Sequence, residues 1–175
     1  KRPDMATLHL PDTLFLTGPF NQKRFNFVQI LIPGFTNWAT GSLTLNDCVF
    51  GLPSGLSLDV NGTLILTNGA QLHLFAAATS GVSQLEYGGY VSVSNDLRLY
   101  TNCWIMPYAH PTNGGIYRFD VGGDLLIAAG GGFDADDKGY QFRLGPGALT
   151  NGNYNGGGYG GIGGWGFYGS VGFGP

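Results

Sequence analysis

Apolar and polar residues alternate with a period of two through the middle of the chain. That spacing puts every second side chain on one face of a β-strand. Three segments carry the pattern in the same form: Leu58–Leu74 (LDVNGTLILTNGAQLHL), Val91–Pro107 (VSVSNDLRLYTNCWIMP) and Phe119–Ala135 (FDVGGDLLIAAGGGFDA). Laid together without gaps, at offsets of 33 and 28 residues, they align five apolar columns. These are Leu58/Val91/Phe119, Val60/Val93/Val121, Leu64/Leu97/Leu125, Leu66/Leu99/Ile127 and Leu72/Ile105/Phe133. Turn residues interrupt the columns at matching places: Asn61-Gly62-Thr63, Ser94-Asn95-Asp96 and Gly122-Gly123-Asp124, then Thr67-Asn68-Gly69, Thr101-Asn102 and Ala129-Gly130. Each block therefore predicts strand, turn, strand, turn, strand. A weaker copy is Ser42–Asp47, where Leu43 and Leu45 precede Leu64 and Leu66 by 21 residues. Upstream, Leu14-Phe15-Leu16 and Phe25 to Ile32 read as strands without clear register.

Chemically similar residues that recur once per repeat predict an all-β fold, a right-handed parallel β-helix (solenoid), in which coils stack about 4.8 Å apart and inward residues form ladders. The alternative, an antiparallel β-sandwich or jelly roll, also has short alternating strands but gives no reason for five matching columns. The predicted organisation is N-terminal strands over 1–40 that cap the stack, rungs over 41–143, and a Gly/aromatic-rich segment over 144–175 partly ordered on the solenoid. Coil length varies at 75–90 and 108–118, which predicts loops there. Cys48 and Cys103 fall two rungs apart, about 10 Å, too far for a disulfide. Two free thiols are expected.

Composition narrows the class. Of 175 residues 32 are Gly, and only 11% are charged. A helical bundle would need far more Glu and Lys, and collagen would need Gly at every third position. Simple disorder would need low hydrophobicity and high net charge, against 43% apolar residues and a net charge of −3. That charge also argues against a nucleic-acid partner. The longest apolar stretch, Phe27 to Ile32, is too short for a transmembrane segment. Few charges with abundant Gly, Asn, Thr and Tyr fit an extracellular or cell-surface protein. Residues 151–175 hold 12 glycines interleaved with Tyr154, Tyr159, Trp165, Phe167, Tyr168 and Phe173. The Lys1-Arg2-Pro3 start and the stop inside a Gly-rich run read as a piece of a longer chain.

Candidate chemistry is sparse. Asp134, Asp136 and Asp137, ahead of Gly139, space carboxylates as calcium loops do, although the EF-hand pattern fails for want of the twelfth-position Glu. The competing reading is a solvated turn whose Asp side chains satisfy backbone N–H groups. Trp104, Tyr108, His110 and Tyr117 lie in or beside the 108–118 loop and suit sugar stacking and hydrogen bonding. His9 and His73 have no metal-ligand spacing to His110, and His73 is expected to point outward from its strand. Asp59 and Asp120 share an outward column with Ser92 between them. At about 10 Å they could form an inverting glycosidase pair, but no neighbour is placed to raise either pKa. No catalytic residue and no cofactor is assigned, calcium being the one candidate. Asn61-Gly62-Thr63 is a formal glycosylation sequon in an exposed turn.

The run GYVSVSNDLRLY…IMPYAHPTNGGIYRFDVGGDLLIAAGGGFDADDKGY, followed by GGGYGGIGG, resembles the Gly-rich parallel β-helix repeats of very large secreted bacterial surface proteins, comparable to autotransporter passenger domains. The likeness covers about residues 56–164. Its specific parts are Pro111–Gly115, Gly130–Asp136 with Lys138-Gly139-Tyr140, and the Gly/Tyr run. The resemblance implies location and architecture and supplies no catalytic residues. Together these readings give, as the expected function, an extracellular structural solenoid: a surface, matrix or filament building block that self-associates. A carbohydrate-binding or adhesive module is the alternative, and a polysaccharide-active β-helix enzyme is the least favoured reading.

Overall fold

The computed structural model describes residues 5–21, 25–80, 87–112 and 115–139. The expectations for the 144–175 segment lie outside the described residues. So do residues 81–86 and 113–114 of the two variable loops.

The described strands in chain order begin with β1 (Ala6–His9), β2 (Phe20–Asn21), β3 (Val28–Leu31), β4 (Asn37–Thr40) and β5 (Leu43–Asn46). They continue with β6 (Val49–Gly51), β7 (Ser57–Val60), β8 (Leu64–Thr67), β9 (Gln71–Phe75) and β10 (Gly89–Val93). The last are β11 (Leu97–Leu99), β12 (Trp104–Tyr108), β13 (Tyr117–Val121), β14 (Leu125–Ile127) and β15 (Gly132–Phe133). They form three sheets. Sheet A runs β1-β3-β6-β9-β12-β15, sheet B runs β14-β11-β8-β5-β2, and sheet C runs β13-β10-β7-β4. Every pairing among them is parallel. An antiparallel sandwich is therefore not the arrangement of these strands. From β4 onward the chain visits sheets C, B and A in fixed rotation, four times. That order is compatible with a β-helix. No helix among the described residues is long and apolar enough to cross a membrane.

The five apolar columns are true register columns. Leu58, Val91 and Phe119 are paired partners, as are Val60, Val93 and Val121. Leu64/Leu97/Leu125 and Leu66/Leu99/Ile127 pair in sheet B, and Leu72/Ile105/Phe133 pair in sheet A. Leu43 and Leu45 pair with Leu64 and Leu66 at the expected 21-residue offset. The two middle blocks bury their columns almost completely. Each buried Leu side chain is worth about 1.5–3 kcal/mol, so the ladders are the main source of cohesion. At the turns between sheets B and A, Asn68, Gly69, Asn102 and Gly130 hold φ of 55°, 77°, 60° and 78°. Asn and Gly tolerate that left-handed conformation, which is why they recur there. Across this turn the Asn68 amide also donates to the Asn46 side-chain oxygen at 2.8 Å.

Cys48, Ala70 and Cys103 stand in one column just before sheet A. The Gln71 N–H donates to the Cys48 carbonyl, and the Trp104 N–H to the Ala70 carbonyl. Both thiols are free and buried. Burial pushes the Cys48 thiol up to about 11.

Two expectations change. Leu14–Thr17 is a short 3-10 helix, closed by the Leu16 N–H on the Thr13 carbonyl, where the sequence reads as a strand. The apolar run from Phe25 becomes a strand only at Val28, because Phe27 takes a positive φ of 55° that breaks the extended chain. The N-terminal strands β2, β3 and β4 pair with β5, β6 and β7. The N-terminal region contributes an aromatic cluster of Phe15, Phe20, Phe25, Trp38 and Phe50 with ring centres 5.2–5.7 Å apart. The third block keeps register with less burial: Phe119 and Val121 are partly buried against the core, whereas Leu125, Ile127 and Phe133 are 52%, 44% and 37% exposed. They sit on the last described strands of sheets B and A, with no described strand stacked beyond them.

Candidate functional site

On sheet A, the residues of opposite parity to Phe50, Leu72, Leu74 and Ile105 point away from the core. They form register columns of their own. Val49, Gln71, Trp104 and Gly132 make one; Gly51, His73 and Met106 the next; Phe75 and Tyr108 the third. Sequence periodicity assigns this face to solvent. In the structure much of it is covered. Phe75 and Tyr108 stack at 4.8 Å and His73 lies 5.7 Å from Tyr108, all three nearly parallel. His73 points away from the core as expected, yet it is only 2% exposed. The reason is that Phe75 and Tyr108 stack near the imidazole while Gln71 meets its Nε2 edge.

The His73 ring is held at both nitrogens. Nδ1 lies 3.2 Å from the Tyr108 hydroxyl and Nε2 lies 3.3 Å from Gln71 Oε1. Since a carboxamide oxygen only accepts, Nε2 carries the proton and Nδ1 accepts from Tyr108. Burial holds this histidine down at about 4, so it is neutral at physiological pH.

The Asp134–Gly139 turn folds across the stack. The Ala109 N–H donates to the Lys138 carbonyl at 2.8 Å, and Lys138 Nζ lies 5.5 Å from the Tyr108 ring centre. Nζ also pairs with Asp134 Oδ2 at 2.9 Å. Asp134 Oδ1 accepts from the Asp136 N–H at 2.9 Å. Lys138 above all, with that N–H, holds the Asp134 carboxyl below the usual range. The three residues singled out for calcium are thus arranged as a capped turn, with Asp137 at a φ of 55° and the Asp134 carboxylate already engaged. Among the described residues no group of three or more His, Cys, Asp or Glu side chains is placed to hold a metal ion.

Beside the stack is a groove of about 420 Å³ lined by Gln71, Trp104, Met106, Phe133, Asp134, Ala135 and Asp136. Trp104 is half-buried along it. Its neighbour on β15 is Gly132, and a side chain there would come within 3.4 Å of the indole. That is an ordinary packing distance, so Gly132 leaves this side of the indole without a side chain in contact.

The four residues singled out for carbohydrate separate. Trp104 lines the groove, and Tyr108 is buried in the stack next to it. Tyr117 is buried in the main core, its hydroxyl donating to the Leu56 carbonyl at 3.1 Å, and burial raises its pKa. It packs against Gly89, its register partner, where a side chain would collide with the ring. His110 is in the loop, its Nδ1 in contact with the Thr112 hydroxyl at 3.1 Å. Gln71 and Met106 were missed. The signal was present in WIMPY, whose outward positions Trp104, Met106 and Tyr108 are too apolar for a bare solvent face.

Sheet C presents a different outer surface. Asp59, Ser92 and Asp120 stand in one register column as expected. Asp59 accepts from the Asn37 amide at 2.7 Å. Asp120 accepts from the Tyr90 hydroxyl and pairs with Arg118 at 2.9 Å. Those contacts, Tyr90 first, hold the Asp120 carboxyl below its usual range. A carboxyl stabilised as its anion is not poised as a general acid. Asn61 of the sequon is exposed in the turn between β7 and β8.

Comparison of the chain with family models, with curated proteins and with solved structures finds no match.

Proposed function

We propose that this chain is an extracellular structural building block, a right-handed parallel β-helix that self-associates into a surface, matrix or filament assembly. The observation that carries the reading is the combination of wholly parallel sheets with an apolar last described rung. Leu125, Ile127 and Phe133 continue the buried ladders but are 52%, 44% and 37% exposed, on strands that are the last of their sheets among the described residues and whose backbone groups can template another strand. The extracellular placement is supported by the low charge, the Gly- and Asn-rich turns and the resemblance to secreted repeats. Sedimentation velocity over a concentration series, with negative-stain electron microscopy, tests it. The expected result is a mass that climbs with concentration and elongated particles, both suppressed by Leu125→Lys. A strict monomer up to the solubility limit overturns the proposal.

A further inference from the structure

We propose that the groove beside Trp104 is a binding subsite for a neutral hexopyranose chain. The groove opens on the outer face of sheet A and shares Phe133 with the last described rung. Gln71→Ala, two strands from that rung, tests the subsite apart from self-association.

Sugar rings have an apolar face of C–H groups and a rim of hydroxyls. A protein site for them needs a flat aromatic wall with polar groups converging at its edge. The groove has that layout. Trp104 is the wall, and the missing side chain at Gly132 leaves the indole unobstructed on the β15 side. Met106, two residues along the same outward face, extends the apolar floor. Gln71 is the register partner of Trp104 on β9. Its oxygen is taken by His73. Its amide N–H groups are therefore the donors it can offer a sugar oxygen. The opposite rim is the Asp134–Asp136 turn, where the exposed Asp136 supplies a carboxylate acceptor for hydroxyls.

Charge selects among sugars. Lys138 neutralises Asp134 through the 2.9 Å pair, which leaves Asp136 to set a negative rim. Uronate and sulfated polymers are repelled by that rim, and neutral hydroxyl-bearing rings are not. The site is also pre-organised. Gln71 is tied to His73, His73 to Tyr108, and the turn to Ala109 by the Lys138 carbonyl. Little ordering is then needed on binding. The volume of about 420 Å³ lies in the range of ligand sites, roughly 300–1,000 Å³.

Affinity electrophoresis of the full chain through gels containing a soluble glucan, a galactomannan or polygalacturonate tests the assignment. Tryptophan fluorescence titration with the corresponding oligosaccharides runs alongside. Retardation by a neutral polymer and none by polygalacturonate is expected. Trp104→Ala is expected to weaken binding about tenfold or more and Trp104→Phe by less, with far-UV circular dichroism unchanged. Gln71→Ala removes the polar partner without touching the indole, and is expected to weaken binding several-fold. It therefore tests the site even if Trp104→Ala fails to fold. No retardation by either neutral polymer, equal retardation of wild type and Gln71→Ala, or a preference for polygalacturonate each overturns the proposal.

Discussion

Sheets A and C share one inward architecture and differ on the side that faces away. Inside, both stack aliphatic partners: Leu72 on Ile105 in sheet A, Leu58 on Val91 in sheet C. Outside, sheet A carries His73, Phe75, Tyr108 and Trp104, whereas sheet C carries Asp59, Ser92 and Asp120 with Arg118 and Tyr90. The first outer face is partly dry and stacked, the second solvated and ion-paired. The inward ladder is the part every rung must repeat. The outward columns are free to diverge, so individuality in this chain resides on the outer faces of its sheets.

The sharpest way to break the comparison is to truncate each layer. Leu97→Ala empties a fully buried ladder position and is expected to cost about 2–5 kcal/mol by thermal denaturation. Tyr108→Ala removes an outer ring that stacks on two neighbours, and is expected to cost about 2–3 kcal/mol. If sheet A's outer face were ordinary surface, that change would be within about 0.5 kcal/mol.

Acid separates the two faces next. The folded pKa of His73, about 4, lies below its unfolded value, so the unfolded chain takes up the proton first. Stability from this residue is full above about pH 6.5 and declines as pH falls through 4, by on the order of 3 kcal/mol in all. His73→Gln flattens the 6.5-to-4 limb of a melting-temperature profile. An unchanged limb would disprove the dry stack. The sheet C cluster responds lower. The Asp120 carboxyl is depressed, so its contribution is present above the ordinary carboxylate pKa and is lost as pH falls through the folded value.

The smallest expected effect is Asp120→Asn, measured by denaturant titration. An exposed pair is screened by water, and the midpoint should barely move. A large loss there would erase the contrast with sheet A.

Inward positions were legible in the sequence because burial enforces chemical similarity, and five columns aligned without a gap. The Cys48–Cys103 separation followed from the same register. Outer faces were less legible for a physical reason. A period of two says that His73 and Tyr108 leave the core, but not that rings from adjacent strands and the Asp134–Gly139 turn will cover them. Tyr117 shows the converse. It sits near a loop in sequence, yet Gly89 across the sheet makes a slot for its ring, and it turns inward. The 3-10 turn at Leu14–Thr17 and the left-handed Phe27 carry no residue signature, since Leu and Phe are not typical of either conformation.

Ala70 separates the two thiols in the column before sheet A. Adjacent strands are about 4.8 Å apart, inside the 4.4–6.8 Å window between Cα atoms of a disulfide, and two spacings fall outside it. The rung that carries Ala70 therefore keeps the two thiols out of each other's reach. It lets both cysteines stay reduced in the oxidising medium that the proposed location implies. Ala70→Cys would give that column a choice of two crosslinks and lock one pair of neighbouring rungs together.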